Sequence, residues 1–166
     1  MADVNAVLDA NRDAVRELIA RAERCHGNWA VPRAPGKWSP SQVVEHVAKS
    51  MEESAAMVSG GQSGLPNLPF FLRPVARIFF NRMLKTGIIP KGRAAKALQP
   101  GAGAPTPTAA RQRLEAAFAK FERACRDRAA MSDSVNSSVF GTVPLRDYAR
   151  FMEIHTRHHC KQMEAK

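Results

Sequence analysis

The chain has 166 residues, 45% hydrophobic and 24% charged, with a formal net charge of +10. That balance excludes wholesale disorder and fits one domain. Between Glu53 and Glu115 there is no acidic residue, while Arg73, Arg77, Arg82, Lys85, Lys91, Arg93, Lys96, Arg111 and Arg113 all fall there, so the excess charge is a local patch and not a general basic coat.

Residues 4–25 carry apolar side chains at Val4, Val7, Leu8, Val15, Leu18, Ile19 and Ala22, in steps of three and four. That is the helical period. Asp3 is placed to cap this helix and Gly27 to end it; Asn11 is a lone polar residue on the stripe. A loop rich in Pro and Gly follows. Ser39-Pro40-Ser41-Gln42 then opens a second helix with a capping box and a proline at the first helical position. Val43, Val44, Val47, Ala48, Met51, Ala55 and Val58 form its apolar face, and Gly60-Gly61 stops it.

From 60 to 106 runs a long crossover. It holds one short amphipathic segment, about Pro69 to Lys85, with Phe71, Leu72, Val75, Ile78, Phe79 and Met83 on one side and Arg73, Arg77 and Lys85 on the other. QPGAGAPTPT reads as low-complexity linker. A third long helix spans about Pro107 to Met131, with Ala110, Leu114, Ala117, Phe118, Phe121 and Cys125 as its stripe. SDSVNSSVFG reads as a loop. The last helix starts at Pro144 with the stripe Tyr148, Phe151, Met152, His155, His159 and Met163. No strand is predicted. The expected fold is all-α: a four-helix bundle in a single domain over 1–166, with the long crossover between its second and third helices.

No stretch approaches the roughly 20 apolar residues of a transmembrane helix. The acidic start, MADVNAVLDANRD, is unlike a secretory signal. Cys25, Cys125 and Cys160 are odd in number and far apart, which gives no disulfide framework. A cytoplasmic setting is the expectation.

The last helix carries the strongest chemical signal, FMEIHTRHHCKQM. His155 and His159 are four apart and share one face, so two imidazoles can converge on one ion. His155 and His158, three apart, are an alternative pair; the inward stripe favours His159. Thr156 follows His155 where a zincin carries glutamate, so that protease chemistry has no general base here. His46, at the border of the second helix's apolar face, is the candidate third ligand. His26 reads as a helix C-terminal cap.

KWSPSQVVEHVAKS, followed downstream by VFGTVPLRDYARFMEIHTRHHCKQM, resembles the DinB-like superfamily, most closely its DinB_2 and DUF1569-type branch. The resemblance implies an up-down-down-up four-helix bundle holding a divalent metal on three histidines. Carried over by position, these are His46, His155 and His159. Gln162 matches the glutamine that closes the motif, and Phe140-Gly141 the pair before the last helix. Relatives often carry His-Pro ahead of that pair; Ser137-Ser138-Val139 stand here, which removes a loop histidine and leaves the triad.

Three neutral imidazoles and an open position form a catalytic kind of site. The resemblance implies a metal-dependent enzyme, either a thiol-dependent S-transferase or a hydrolase. Its cofactor would be a divalent ion: zinc or nickel first, then iron. Imidazole alone does not choose among these and copper. A small-molecule substrate, with a low-molecular-weight thiol as cosubstrate, and a homodimer are the implied partners. No catalytic side chain is assigned. Glu53 lies two turns from His46 and reads as a solvated helix-end charge; Asn11 reads as a buried spacer and Cys160 as an inert thiol. A second reading is a non-catalytic binding module that applies the basic crossover, with Phe70, Phe71, Phe79 and Phe80, to an anionic membrane surface or another anionic partner. A metal-free bundle serving only as an interaction module is a third, and the intact triad counts against it. Nucleic acid is not expected, because no reading motif accompanies the charge.

Overall fold

The computed structural model describes residues 4–163. They contain five α-helices: α1 (Val4–Arg24), α2 (Pro40–Val58), α3 (Arg73–Thr86), α4 (Pro107–Met131) and α5 (Leu145–Gln162). The four long ones pack around one core. α2 lies along α4 and α1 along α5, and contacts of α1 with α4 and of α2 with α5 close the interior. Leu8 and Leu18 of α1, Val44, Val47 and Met51 of α2, Leu114 and Phe121 of α4 and Leu145 of α5 are fully buried there.

The helix ends follow local chemistry. Ser39 accepts the backbone N–H of Gln42, and the Gln42 side chain accepts that of Ser39, so the capping box is complete. Thr106 caps α4 by accepting from Ala109 N. Asp3, the expected cap of α1, lies outside the described residues. α1 ends at Arg24, and Gly27 falls in a 3-10 turn, His26–Asn28, without a left-handed φ. Asn11 is buried and ties α1 to α5: its Nδ2 donates to Val7 O and to Ala149 O at 3.0 and 2.9 Å.

One expectation needs correction. The segment read as a loop before α5 holds an antiparallel hairpin, β1 (Ser134–Ser137) and β2 (Gly141–Pro144), with Val135 opposite Val143. Both valines are buried, while Asn136 and Thr142 face outward. Ser137 Oγ accepts the N–H groups of Val139 and Phe140 and so shapes the turn. Four residues per strand are too few for alternation to stand out in a Ser-rich stretch.

α3 packs by a minor part of its apolar surface. Phe71, Leu72, Val75, Ile78 and Phe79 are exposed, and of the side read as apolar Met83 alone is buried. The buried anchors are Phe80 and Met83. Phe80 is nine residues past Phe71, about 180° round the helix, and it packs against Phe140 and Phe151 with ring centroids 4.7 and 5.7 Å away. α3 is apolar on two sides, and the tertiary partner chose the narrower one.

Candidate metal centre

The capping box fixes where α2 begins. His46 stands seven residues after Ser39, two turns in, among Val43, Val44 and Val47, so its ring points at the core. On α5 the stripe through Tyr148 and Met152 carries His155 and His159 to the same level. His46 and His159 are buried and His155 half-buried.

The three rings meet at their Nε2 atoms. Nε2 of His155 stands 3.2 Å from Nε2 of His46 and 3.2 Å from Nε2 of His159. Three nitrogens bound at 2.0–2.1 Å to one tetrahedral ion stand about 3.3 Å apart. The other ring nitrogens set the tautomers. His46 Nδ1–H donates to Leu98 O at 2.7 Å, and His159 Nδ1–H donates to Gln162 Oε1 at 2.9 Å. Both Nε2 atoms are therefore bare lone pairs. His155 Nε2–H can satisfy only one of them, and His155 Nδ1 is buried with no partner. Lone pairs facing one another in a desolvated site repel; a shared cation removes the conflict. The donor set and its geometry fit a divalent ion.

Burial keeps these rings neutral, as ligands must be. It lowers the pKa of His46, puts that of His155 well below its ordinary value, and takes that of His159 down to about 3; neighbouring histidines add to the depression. The consequence is testable in metal-free protein. Between pH 6.5 and about 3 the unfolded chain binds a proton at His159 that the folded chain refuses. Stability should thus fall as pH drops through that window. Urea titrations of chelator-treated protein should give a slope against pH shallower in His159→Gln by about 1.4 kcal/mol per pH unit. Equal slopes would mean that His159 titrates normally.

A family model described as the DinB superfamily matches residues 7–163. The chain belongs to the DinB superfamily. No curated protein and no solved structure matches it. In this DinB-superfamily chain the structure brings His46, His155 and His159 into one cluster, with ligand atoms all within 4.8 Å of one another. His158, the alternative partner of His155, is turned away: its Nε2 accepts from Gln162 Nε2 at 3.1 Å. Gln162 thereby holds both neighbours of the motif, orienting His159 with its oxygen.

The other nominated residues serve the frame. Glu53 accepts Ser63 Oγ and Gly64 N and so pins the start of the crossover, 2.8 and 2.6 Å away. Cys160 is buried, its Sγ 3.7 Å from Ala14 O and its pKa pushed up to about 12 by burial, which keeps it a thiol. His26 is exposed in its 3-10 turn, clear of the cluster.

Two parts of the site had no role assigned from the sequence. Trp38, inside the KWSPSQVVEHVAKS motif, packs on it, with its ring centroid 4.7 Å from that of His46 and 6.3 Å from that of His159. The other part is the supposed linker. Residues 98–104 form an ordered strap across α2. Gln42 donates to Gly101 O, Glu45 accepts Gly101 N and Gly103 N, His46 donates to Leu98 O and Lys49 donates to Gln99 O, all between 2.7 and 3.0 Å. Positions 42, 45, 46 and 49 are one face of a helix. That face reads the strap's backbone and closes the outer side of His46.

Proposed function

We propose that this protein is a metal-dependent enzyme whose divalent ion is held by His46, His155 and His159, and that it transfers groups to or from the sulfur of a low-molecular-weight thiol. The observation that carries the reading is the meeting of three Nε2 atoms, 3.2 Å from His155 to each of the others, with two Nδ1–H groups held by Leu98 O and Gln162 Oε1. Zinc or nickel suits three neutral imidazoles, with iron next. The up-down-down-up order of the family and a cytoplasmic setting belong to the same reading.

When bound, a divalent ion there supplies positive charge that favours the deprotonated form of a thiol or of water. The protein's own groups favour the thiol. The cluster contains three histidines and no carboxylate. Water, with a pKa of about 15.7, gains from a general base beside it; a thiol near 8.5 needs only a modest shift to ionise at neutral pH. Leu98 O and Gln162 hold the rings in place before substrate arrives, Trp38 covers two of them, and His155 is the least buried of the three. Hydrolysis is the second reaction class, and the missing base weighs against it.

The test is elemental analysis of protein purified without a histidine tag, with His155→Ala alongside. About one divalent ion per chain is expected in the wild type and less than about a tenth of that in the variant. Small thiols are then screened with a chromogenic electrophile, and thiol consumption should stop on chelation. Wild-type protein that takes up no metal after incubation with zinc or nickel ends the enzyme reading.

A further inference from the structure

Among the described residues nine large hydrophobic side chains stand exposed, and seven lie between Phe70 and Ile88. Phe70 is 80% exposed, Ile78 67%, Ile88 66% and Phe71 64%. Scattered apolar residues on a surface need no explanation; a contiguous set does. These residues are held outward. Phe80 anchors the side of α3 opposite Phe71 and Ile78, Met83 is buried at the boundary, Arg77 donates to Thr142 O at 2.6 Å, and Arg73 donates to Leu68 O at 3.0 Å. Gly87, with φ 65°, ends the helix by bonding its N–H to Met83 O.

Cations border the same surface. Arg82, eleven residues past Phe71, returns to the helix side that carries Phe71, Val75 and Ile78. Lys85, Lys91, Arg93 and Lys96 follow, all exposed. The sequence places no carboxylate between Glu53 and Glu115, and none of the ion pairs among described residues involves these five. Their counterions come from outside the segment.

We propose that this face docks the protein on a bilayer surface carrying anionic lipid. Phe70, Phe71, Ile78 and Phe79 enter the boundary between headgroups and acyl chains, and Arg82, Lys85 and Lys91 meet the lipid phosphates. A bilayer supplies both things the face lacks, an apolar phase and negative charge. A second copy of the segment brings the same cations and no acid. A nucleic acid supplies phosphates but nothing for Val75 and Ile78 to enter. No described helix is long and apolar enough to cross a membrane, so α3 lies along the surface.

The experiment is flotation of the full chain with vesicles of phosphatidylcholine alone or mixed equally with phosphatidylglycerol, at about 0.1 and about 0.5 M salt. Binding to the anionic vesicles at low salt is expected, with at least about a tenfold loss on neutral vesicles or in high salt. Ile78→Ser with Phe79→Ser, and separately Arg82→Gln with Lys85→Gln, should each weaken partition at least about tenfold while leaving the melting curve in place, since all four side chains are exposed. No partition, or partition untouched by the Ile78/Phe79 double variant, overturns the proposal. So does a wild-type dimer in sedimentation equilibrium that this variant turns into monomer, because a second copy then covers the face. DNA retention that matches vesicle retention and ignores the same variant reduces the face to charge and overturns it equally.

Discussion

Replacing His155 by Phe is expected to abolish stoichiometric metal binding and yet leave metal-free protein at least as stable as metal-free wild type. The argument starts from an unpaired atom. His155 Nδ1 is buried with no partner, and its Nε2 faces two other Nε2 atoms at 3.2 Å. A buried unsatisfied polar group costs about 1–3 kcal/mol. Phenylalanine keeps an aromatic ring in the stack against Phe151, whose centroid is 6.3 Å away, and removes both nitrogens. The slightly larger ring and the loss of the one hydrogen bond that His155 Nε2–H gives offset part of the gain, so the net change should lie between zero and about 1 kcal/mol in the variant's favour. Metal reverses the order. At a free concentration of about a thousand times Kd, an ion that binds only the folded state adds about 4 kcal/mol. The expected ranking by urea denaturation is metal-loaded wild type, then His155→Phe, then metal-free wild type. A variant less stable than metal-free wild type by more than about 1 kcal/mol would identify the cluster as a well-satisfied polar core. Zinc and nickel that leave wild-type stability unchanged would remove the metal site itself.

The side chains that chose this site were legible because each sat on a periodic helix. Ser39 and Gln42 gave the start of α2 and hence the phase of His46; Tyr148 and Met152 gave the inward side of α5 and hence the preference for His159 over His158. The third member rested on the family motif, since one helical histidine says little by itself. Other parts left no such trace. Leu98 acts on His46 through its carbonyl oxygen, which every residue possesses, so no side-chain pattern announces it. The hairpin's valines alternate for too few residues to register. α3 is a different case: Phe71, Leu72, Val75, Ile78 and Phe79 make its better stripe, yet only Met83 at the edge of that stripe and Phe80 beyond it are buried. Here the better stripe is exposed, which is also why it invites a partner.

Gly103→Ala should produce the largest loss from a single added methyl. Gly103 has φ 82°, a conformation costing alanine about 1–2 kcal/mol. A Cβ there would stand 2.4 Å from Ser41 Oγ, 2.6 Å from Ser41 Cβ and 2.8 Å from the Ser41 carbonyl carbon. Ser41 cannot yield easily, because it lies in the first turn of α2 with its Oγ 2.8 Å from that of Ser39, inside the capping box. The strap must lift instead. Lifting it breaks the bond from Gly103 N to Glu45, 3.0 Å, and strains that from Trp29 Nε1 to Ala104 O, 2.7 Å. With about 1 kcal/mol for each, destabilisation should reach about 3 kcal/mol. The same movement draws Leu98 O away from His46 Nδ1, freeing the ring to turn and to exchange tautomers. Losing such an outer partner typically weakens a metal site 10–100-fold. Gly92→Ala is the control on the same crossover, since nothing lies within 4 Å of a Cβ there. Chelator competition and thermal melts on both variants separate the two effects. A destabilised Gly103→Ala protein with wild-type metal affinity would show that the strap braces α2 without orienting His46. Loss of affinity in that variant alone would place a backbone carbonyl, 52 residues along the chain from the histidine it holds, among the determinants of the site.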